Sequence, residues 1–266
     1  MDVFQQKTKI LQYETVQEFL RDFTFQKKDY ILASRSIYEA FFRDSTGRAS
    51  IAFHSDYGQG EPDDRMLDAM LKDMREKQPE RIIAIGGGSV IDCAKLFVLE
   101  GTASAEDMFL HRCTPEKSRE LIAIPTTCGS GSEVSRISIC ELTSLHTKLG
   151  LAVDALYPDQ AVLIPELLSK LPFFYFVTSG IDALIHASES FVSPKSNAYT
   201  RMFSAEAIRL LLHGFQVIAK EGEDARMRLL GDFMQASNFA GIAFGNTGTG
   251  AVHALSYPLS GIYHVT

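Results

Sequence analysis

The chain has 266 residues, 45% of them hydrophobic and 22% charged, with a formal net charge of −7. That length supports one large domain or two modest ones with a sizeable core, and that charge disfavours nucleic acid or an anionic membrane as a partner, since both select clustered Lys and Arg. No run of about 18 uncharged apolar residues reads as a membrane span, Met1–Lys7 lacks the regions of a signal peptide, and Cys93, Cys113, Cys128 and Cys140 are scattered as reduced thiols of a cytoplasmic protein would be.

The first elements alternate short β-rich runs with helical patterns. Tyr30–Ala33 reads as a strand, followed by a helix from about Ser36; Ile51–His54 is a second strand, and Gly58–Pro62 is a loop. From Arg65 to Glu76, apolar Met66, Met70, Leu71 and Met74 recur at helical spacing. Arg81–Ile85 is a buried strand running into Gly86-Gly87-Gly88-Ser89, where Ser89 is placed to cap a helix that reaches about Glu100. Leu121–Ile124 is a further buried strand ending at Pro125. Ile137–Cys140 and Lys148–Val153 flank a polar turn as a hairpin, and Gln160–Ile164 is the last strand. Beyond Pro165 the period is helical, with long helices at Phe203–Lys220 and Ala225–Asn238. Gly245–Gly250 follows a helix and reads as a helix–helix junction. The expectation is a parallel α/β domain over 1–165 and an all-helical domain over 166–266. The second has few helices to cover one another's apolar faces.

Three segments carry chemistry. Gly86-Gly87-Gly88-Ser89 follows a strand and opens a helix, so its backbone can approach an anion and its helix N-terminus can face one. A tight strand–helix turn leaves the same trace, and the spacing is not G-x-G-x-x-G. Pro125-Thr126-Thr127-Cys128-Gly129-Ser130-Gly131 ends the next buried strand, and carboxyl ends of parallel strands are where such sheets bind ligands. Asp182 and His186 are four apart, on one face of a helix, and a carboxylate and an imidazole so placed can share a divalent cation. A simple Asp–His hydrogen bond fits that spacing as well. His253 could close the site from another helix.

Taken together, Gly86–Lys95, Ile124–Val134, Ile181–Ala187 and Val252–Leu259 resemble, in order and spacing, the iron-containing (group III) alcohol dehydrogenase family. Gly58–Pro62, Lys95–Leu99 and His253–Leu259 are similar to its 4-hydroxybutyrate dehydrogenase branch. The resemblance implies a dehydroquinate synthase-like architecture, an α/β dinucleotide-binding domain followed by an all-helical metal-binding domain, here incomplete. It implies that Gly87, Gly88 and Ser89, with Asp92 in the same motif, bind NAD, that Thr126, Thr127 and Ser130 lie along it, and that Lys148 of the hairpin reaches it. It implies Asp182, His186 and His253 as metal ligands and catalytic centre, with Fe²⁺ expected and Zn²⁺ compatible. The substrate implied is a small alcohol or aldehyde, 4-hydroxybutyrate and succinate semialdehyde in that branch, with Arg136 and Lys148 as candidates for its far carboxylate. A homo-oligomer is expected of a full-length member.

The chain departs from the family pattern at several places. The fourth metal ligand would fall one residue past Thr266, and His264 is out of register for it. The expectation is therefore a C-terminally truncated chain, with apolar faces of the two long helices left uncovered; the alternative reading is an inactive fragment that keeps dinucleotide binding or an interaction role. Ser34, next to Arg35, stands where many members carry an Asp toward the adenosine ribose, which leaves NADP open beside NAD. Tyr257 stands where some relatives carry a proton-relaying His.

Overall fold

The structure, a computed structural model, describes residues 3–58 and 60–256. In chain order its elements are β1 Lys9–Gln12, α1 Val16–Asp22, β2 Asp29–Ala33, α2 Arg35–Phe41, β3 Ser50–Phe53, α3 Asp64–Lys77, β4 Arg81–Gly86, α4 Gly88–Phe97, α5 Ala105–Phe109, β5 Glu120–Pro125, β6 Ile137–Leu142, β7 Thr147–Ala152, β8 Gln160–Leu163, α6 Phe173–Val192, α7 Ala198–Glu221 and α8 Leu230–Thr247. A helical turn follows at 251–256.

Six strands form one parallel sheet in the order β1-β8-β5-β4-β2-β3. Its central strands are buried along nearly their whole length, as expected where helices cover both faces. The pleat sorts their side chains. Tyr30, Leu32, Ile82, Ala84, Leu121 and Ala123 join one core with α3, α4 and α5. Ile31, Ala33, Ile83, Ile85, Ile122 and Ile124 join the other with α1 and α2. The hairpin of β6 and β7 stands apart from the sheet and is antiparallel.

After β8 the described chain has no further strand. The helices α6, α7 and α8 pack on one another around Phe176, Ala183, Leu211, Phe233 and Ala240. By length and composition α7 could cross a membrane, yet it carries Glu206 and Arg209 and packs against both neighbours.

Several expected elements shift. β1 and α1 precede the first strand read from the sequence. The helix expected at Ala225–Asn238 is instead a 3₁₀ turn at Glu223–Arg228, and then α8 from Leu230. Gly222 with φ 93° ends α7 and redirects the chain, which sets that phase. The apolar face of α8 is covered: Phe233, Met234, Ala236, Ala240, Ile242 and Ala243 are all buried. Exposed apolar side chains lie on α6 and in the last turn, among them Phe174, Ile181, Val192 and Leu255, and on α7 at Tyr199, Met202 and Leu212.

Candidate active site

Two loops leave the sheet side by side because β4 and β5 pair to their last residues, with Gly86 opposite Pro125. The Thr126 N–H donates to the Gly86 carbonyl at 3.0 Å. The helix α4 begins at Gly88, with Gly87 at the N-cap and no capping side chain. Ser89 therefore lies inside the first turn rather than at the cap, and the helix ends at Phe97 rather than near Glu100. An N-terminus without a side-chain acceptor keeps its N–H groups and partial positive charge for an anion. The turn has no room for side chains: a Cβ on Gly88 would lie 2.8 Å from the Ser130 Cβ, and one on Gly87 would lie 3.1 Å from Thr127 Cγ2. Gly86, Gly87 and Gly88 are thus brought against Thr126, Thr127 and Ser130.

Asp92 and Lys148 are committed to other partners. The Asp92 carboxylate turns inward, accepting from the Ser132 hydroxyl, from the Ile139 N–H at 3.1 Å and from Lys95 Nζ at 3.3 Å. Lys148 sits on β7 in an ion pair with Glu61. Arg136 pairs with Asp154 at 2.6 Å. Each of the three charges has a counter-charge in this arrangement: Lys95 for Asp92, Glu61 for Lys148 and Asp154 for Arg136.

The sequence reading passed over Lys95 and Glu133. Lys95 is fully buried, and its ammonium donates to Ser132 Oγ at 2.6 Å, Ser135 Oγ at 3.2 Å and the Ile137 carbonyl at 2.5 Å. Burial lowers its pKa, against the pull of Asp92. Glu133, also buried, accepts from Asn238 Nδ2 at 2.9 Å, and burial raises its pKa. One clasp fastens the loop after β5 to α4, and the other fastens it to α8. The available signal was a lysine inside the apolar run Cys93-Ala94-Lys95-Leu96-Phe97.

On α6, Asp182 and His186 share a face, and the turn after α8 brings His253 to them. One donor atom from each lies within 4.8 Å of the others. His253 Nε2 is 3.4 Å from Asp182 Oδ1, and His186 Nδ1 is 3.8 Å from Asp182 Oδ2. The two imidazoles stack at 4.3 Å with a 10° interplanar angle, and Phe244 covers the other face of His186 at 4.2 Å. His186 Nδ1 lies 3.4 Å from the Gly129 carbonyl, so the cluster abuts the loop after β5. Glu189, seven residues after Asp182 on the same helix face, meets His253 Nδ1 at 2.6 Å. It was also passed over in the sequence, although its phase with Asp182 and His186 was readable.

The electrostatics fit a cation. Desolvation works against the Asp182 charge, but the two imidazoles beside it, His253 and His186, outweigh it, so its carboxyl lies below the usual range. Burial drives the His186 imidazole toward its neutral, lone-pair form, and Asp182 opposes that in part. One carboxylate and two imidazoles, three donors in all, suit Fe²⁺ or Zn²⁺. Tyr257 and His264 lie outside the described residues. The chain expected at Gly245–Gly250 as a junction is one: α8 ends at Thr247, Gly248 has φ 77°, and a helical turn follows.

Ser34 stands at the N-cap position of α2 without a capping side-chain hydrogen bond, at the tip of β2 beside β4. Arg35 reaches from there to Asp56 at 2.5 Å, and its guanidinium lies 3.9 Å over the Phe53 ring.

The chain is similar to known proteins along nearly its whole length. Residues 8–165 match the profile of the iron-containing alcohol dehydrogenases, and residues 176–266 match the C-terminal profile of the same family. The chain is 48% identical over 256 residues to 4-hydroxybutyrate dehydrogenase of Clostridium kluyveri, covering 96% of this chain and 69% of that protein. It is 36% identical to long-chain-alcohol dehydrogenase 1 of Geobacillus thermodenitrificans, covering 72% of this chain and 49% of that one. Its fold matches the NAD⁺ complex of sulfoacetaldehyde reductase from Bifidobacterium kashiwanohense with a TM-score of 0.85 at 24% identity, covering 98% of this chain and 72% of that one.

Proposed function

Because the chain belongs to the iron-containing alcohol dehydrogenase family, we propose that it interconverts a small primary alcohol and its aldehyde, with 4-hydroxybutyrate and succinate semialdehyde as the pair. The observation that carries the reading is the convergence of Asp182, His186 and His253 beside the Gly129 carbonyl, at the edge of the loop that flanks the glycine turn. The 48% identity to a 4-hydroxybutyrate dehydrogenase supports the substrate.

In this reading Asp182, His186 and His253 hold a divalent ion, and Gly87, Gly88 and Ser89 receive the dinucleotide pyrophosphate at the start of α4. When bound, the ion supplies Lewis acidity to the alcohol oxygen and the nicotinamide accepts the hydride. The rest belongs to the chain. Thr126, Thr127 and Ser130 line the path from the glycine turn to the ion site. The Lys95 and Glu133 clasps hold that path at fixed spacing between α4 and α8. Phe244 excludes water from one face of His186. By the family resemblance Ser34, at the start of α2, would face the adenosine ribose, and Arg35 with its partner Asp56 lies next to it. Arg35 is already neutralised by Asp56, and that carboxylate would repel a 2′-phosphate, which supports NAD over NADP.

The test is turnover of the Fe²⁺-loaded chain, followed as NADH absorbance. Expected kcat/KM for 4-hydroxybutyrate exceeds that for butanol and 1,3-propanediol by at least about tenfold. Equal rates would remove the substrate assignment. Metal and NADH binding with no turnover of any alcohol would leave a binding protein in place of an enzyme.

A further inference from the structure

We propose that Glu189 is a positioning residue that fixes both the tautomer of His253 and the helical turn carrying it, so that Nε2 is presented to the metal. The inference rests on the reading of Asp182, His186 and His253 as a metal site.

The contacts are one-sided. Glu189 Oε2 lies 2.6 Å from His253 Nδ1 and accepts the Gly250 N–H at 2.8 Å. Glu189 Oε1 accepts the Val252 N–H at 2.7 Å. The carboxylate is 9% exposed, so water cannot replace these partners readily. An ionised carboxylate only accepts, so Nδ1 must carry the proton of its hydrogen bond. In the neutral ring that leaves the lone pair on Nε2, which faces Asp182 Oδ1 at 3.4 Å. A lone pair and an anionic oxygen facing one another leave a place that either a proton or a metal ion fills. The opposite tautomer would place a proton there instead and close the site to metal.

The same carboxylate anchors the backbone. Gly250 and Val252 begin the turn at 251–256, where N–H groups have no partner within the helix. Glu189 supplies acceptors to both, as a capping side chain does. The fit at Gly250 is tight: a Cβ there would lie 2.9 Å from Glu189 Oε1. One side chain thus sets where the turn starts and which way its imidazole faces. Outer carboxylates of this kind orient metal-bound histidines and typically change affinity by about 10- to 100-fold when lost.

Glu189→Gln separates the two roles. Its amide oxygen can keep one backbone bond, but its NH₂ must then face either the Val252 N–H or His253 Nδ1. In the second case Nδ1 becomes the acceptor and the proton moves to Nε2. The experiment has two arms on the whole chain. In the first, Zn²⁺ is titrated into metal-free wild type and Glu189→Gln against a chromophoric chelator, with circular dichroism as the folding control. The expected result is a Kd raised by about 10- to 100-fold with an unchanged spectrum; a Kd within about twofold of wild type overturns the proposal. In the second, ¹⁵N-histidine spectra of metal-free wild type, at a pH where the ring is neutral, report the tautomer without any variant. A protonated Nδ1 on His253 is expected, and a protonated Nε2 overturns the proposal even if Glu189→Gln fails to fold. Wild type that binds no Zn²⁺ removes the metal-site reading and this inference with it. Normal Zn²⁺ binding that is indifferent to Glu189 removes the inference alone.

Discussion

Gly131 and Gly241 meet backbone to backbone. A Cβ on Gly241 would lie 2.7 Å from both the Cα and the carbonyl oxygen of Gly131, which itself has φ 57°. This contact joins the loop that follows β5 to the middle of α8, and so ties the proposed cofactor side to the metal side. Gly241→Ala must push them apart. The expected cost is about 1–3 kcal/mol in urea unfolding, as for other overpacked sites. Weaker NADH binding should accompany it, measured by fluorescence. Unchanged stability and affinity would mean the loop yields freely.

Two lesions separate the proposed sites. His186→Ala should lower bound metal by at least about tenfold, measured by elemental analysis after dialysis, and leave NADH binding in place. Gly88→Val should do the reverse, because its side chain would collide with Ser130 where the pyrophosphate must approach. Full metal content in the first variant, or wild-type NADH affinity in the second, removes the corresponding assignment.

Asp56 predicts cofactor choice. It holds Arg35 at 2.5 Å while Phe53 supports the guanidinium from below. Asp56→Asn frees that charge for a 2′-phosphate and removes a like charge. NADPH should then bind about tenfold more tightly, with NADH changed little, in paired fluorescence titrations. Equal response of both dinucleotides would place the adenosine elsewhere.

The thiols give a further readout. Cys93, Cys128 and Cys140 are buried, and Cys113 is the partly accessible one of the four free cysteines. Burial pushes Cys128 up to about 11, so at pH 8 about one in a thousand such thiols is ionised. Iodoacetamide at that pH should label Cys113 alone in the native protein and all four in urea, by mass spectrometry. Early labelling of Cys128 would show that the loop after β5 opens.

The sequence revealed what local chemistry dictates. Ile82–Ile85 and Leu121–Ile124 are apolar on both faces, which only a covered parallel strand requires, and both fold so. The shared helix face of Asp182 and His186 followed from helical period, whereas their reading as metal ligands with His253 came only with the family resemblance. β1 escaped because Lys9–Gln12 is four residues long, mostly exposed, and paired with a strand far along the chain. The start of α8 escaped because Glu223–Arg228 has helix-compatible residues, and only the backbone at Gly222 puts them out of phase. The cap of α4 went to Gly87 rather than Ser89 because the turn must leave space for Thr127 and Ser130. Lys95 in its apolar run and Glu189 in phase with Asp182 left traces in the sequence, but their partners, Ser132 and Ser135 for one and the turn at Gly250 for the other, come from distant segments.

The seating of β8 has a consequence for how the chain is made. β8 sits between β5 and β1, and Lys9 pairs with Gln160. The amino-terminal segment therefore waits on the ribosome without its neighbour until some 150 residues more have been synthesised. Closing so wide a ring is a slow, high-contact-order event. A nascent polypeptide released before that strand emerges would carry two unpaired sheet margins, and those margins invite association with other chains.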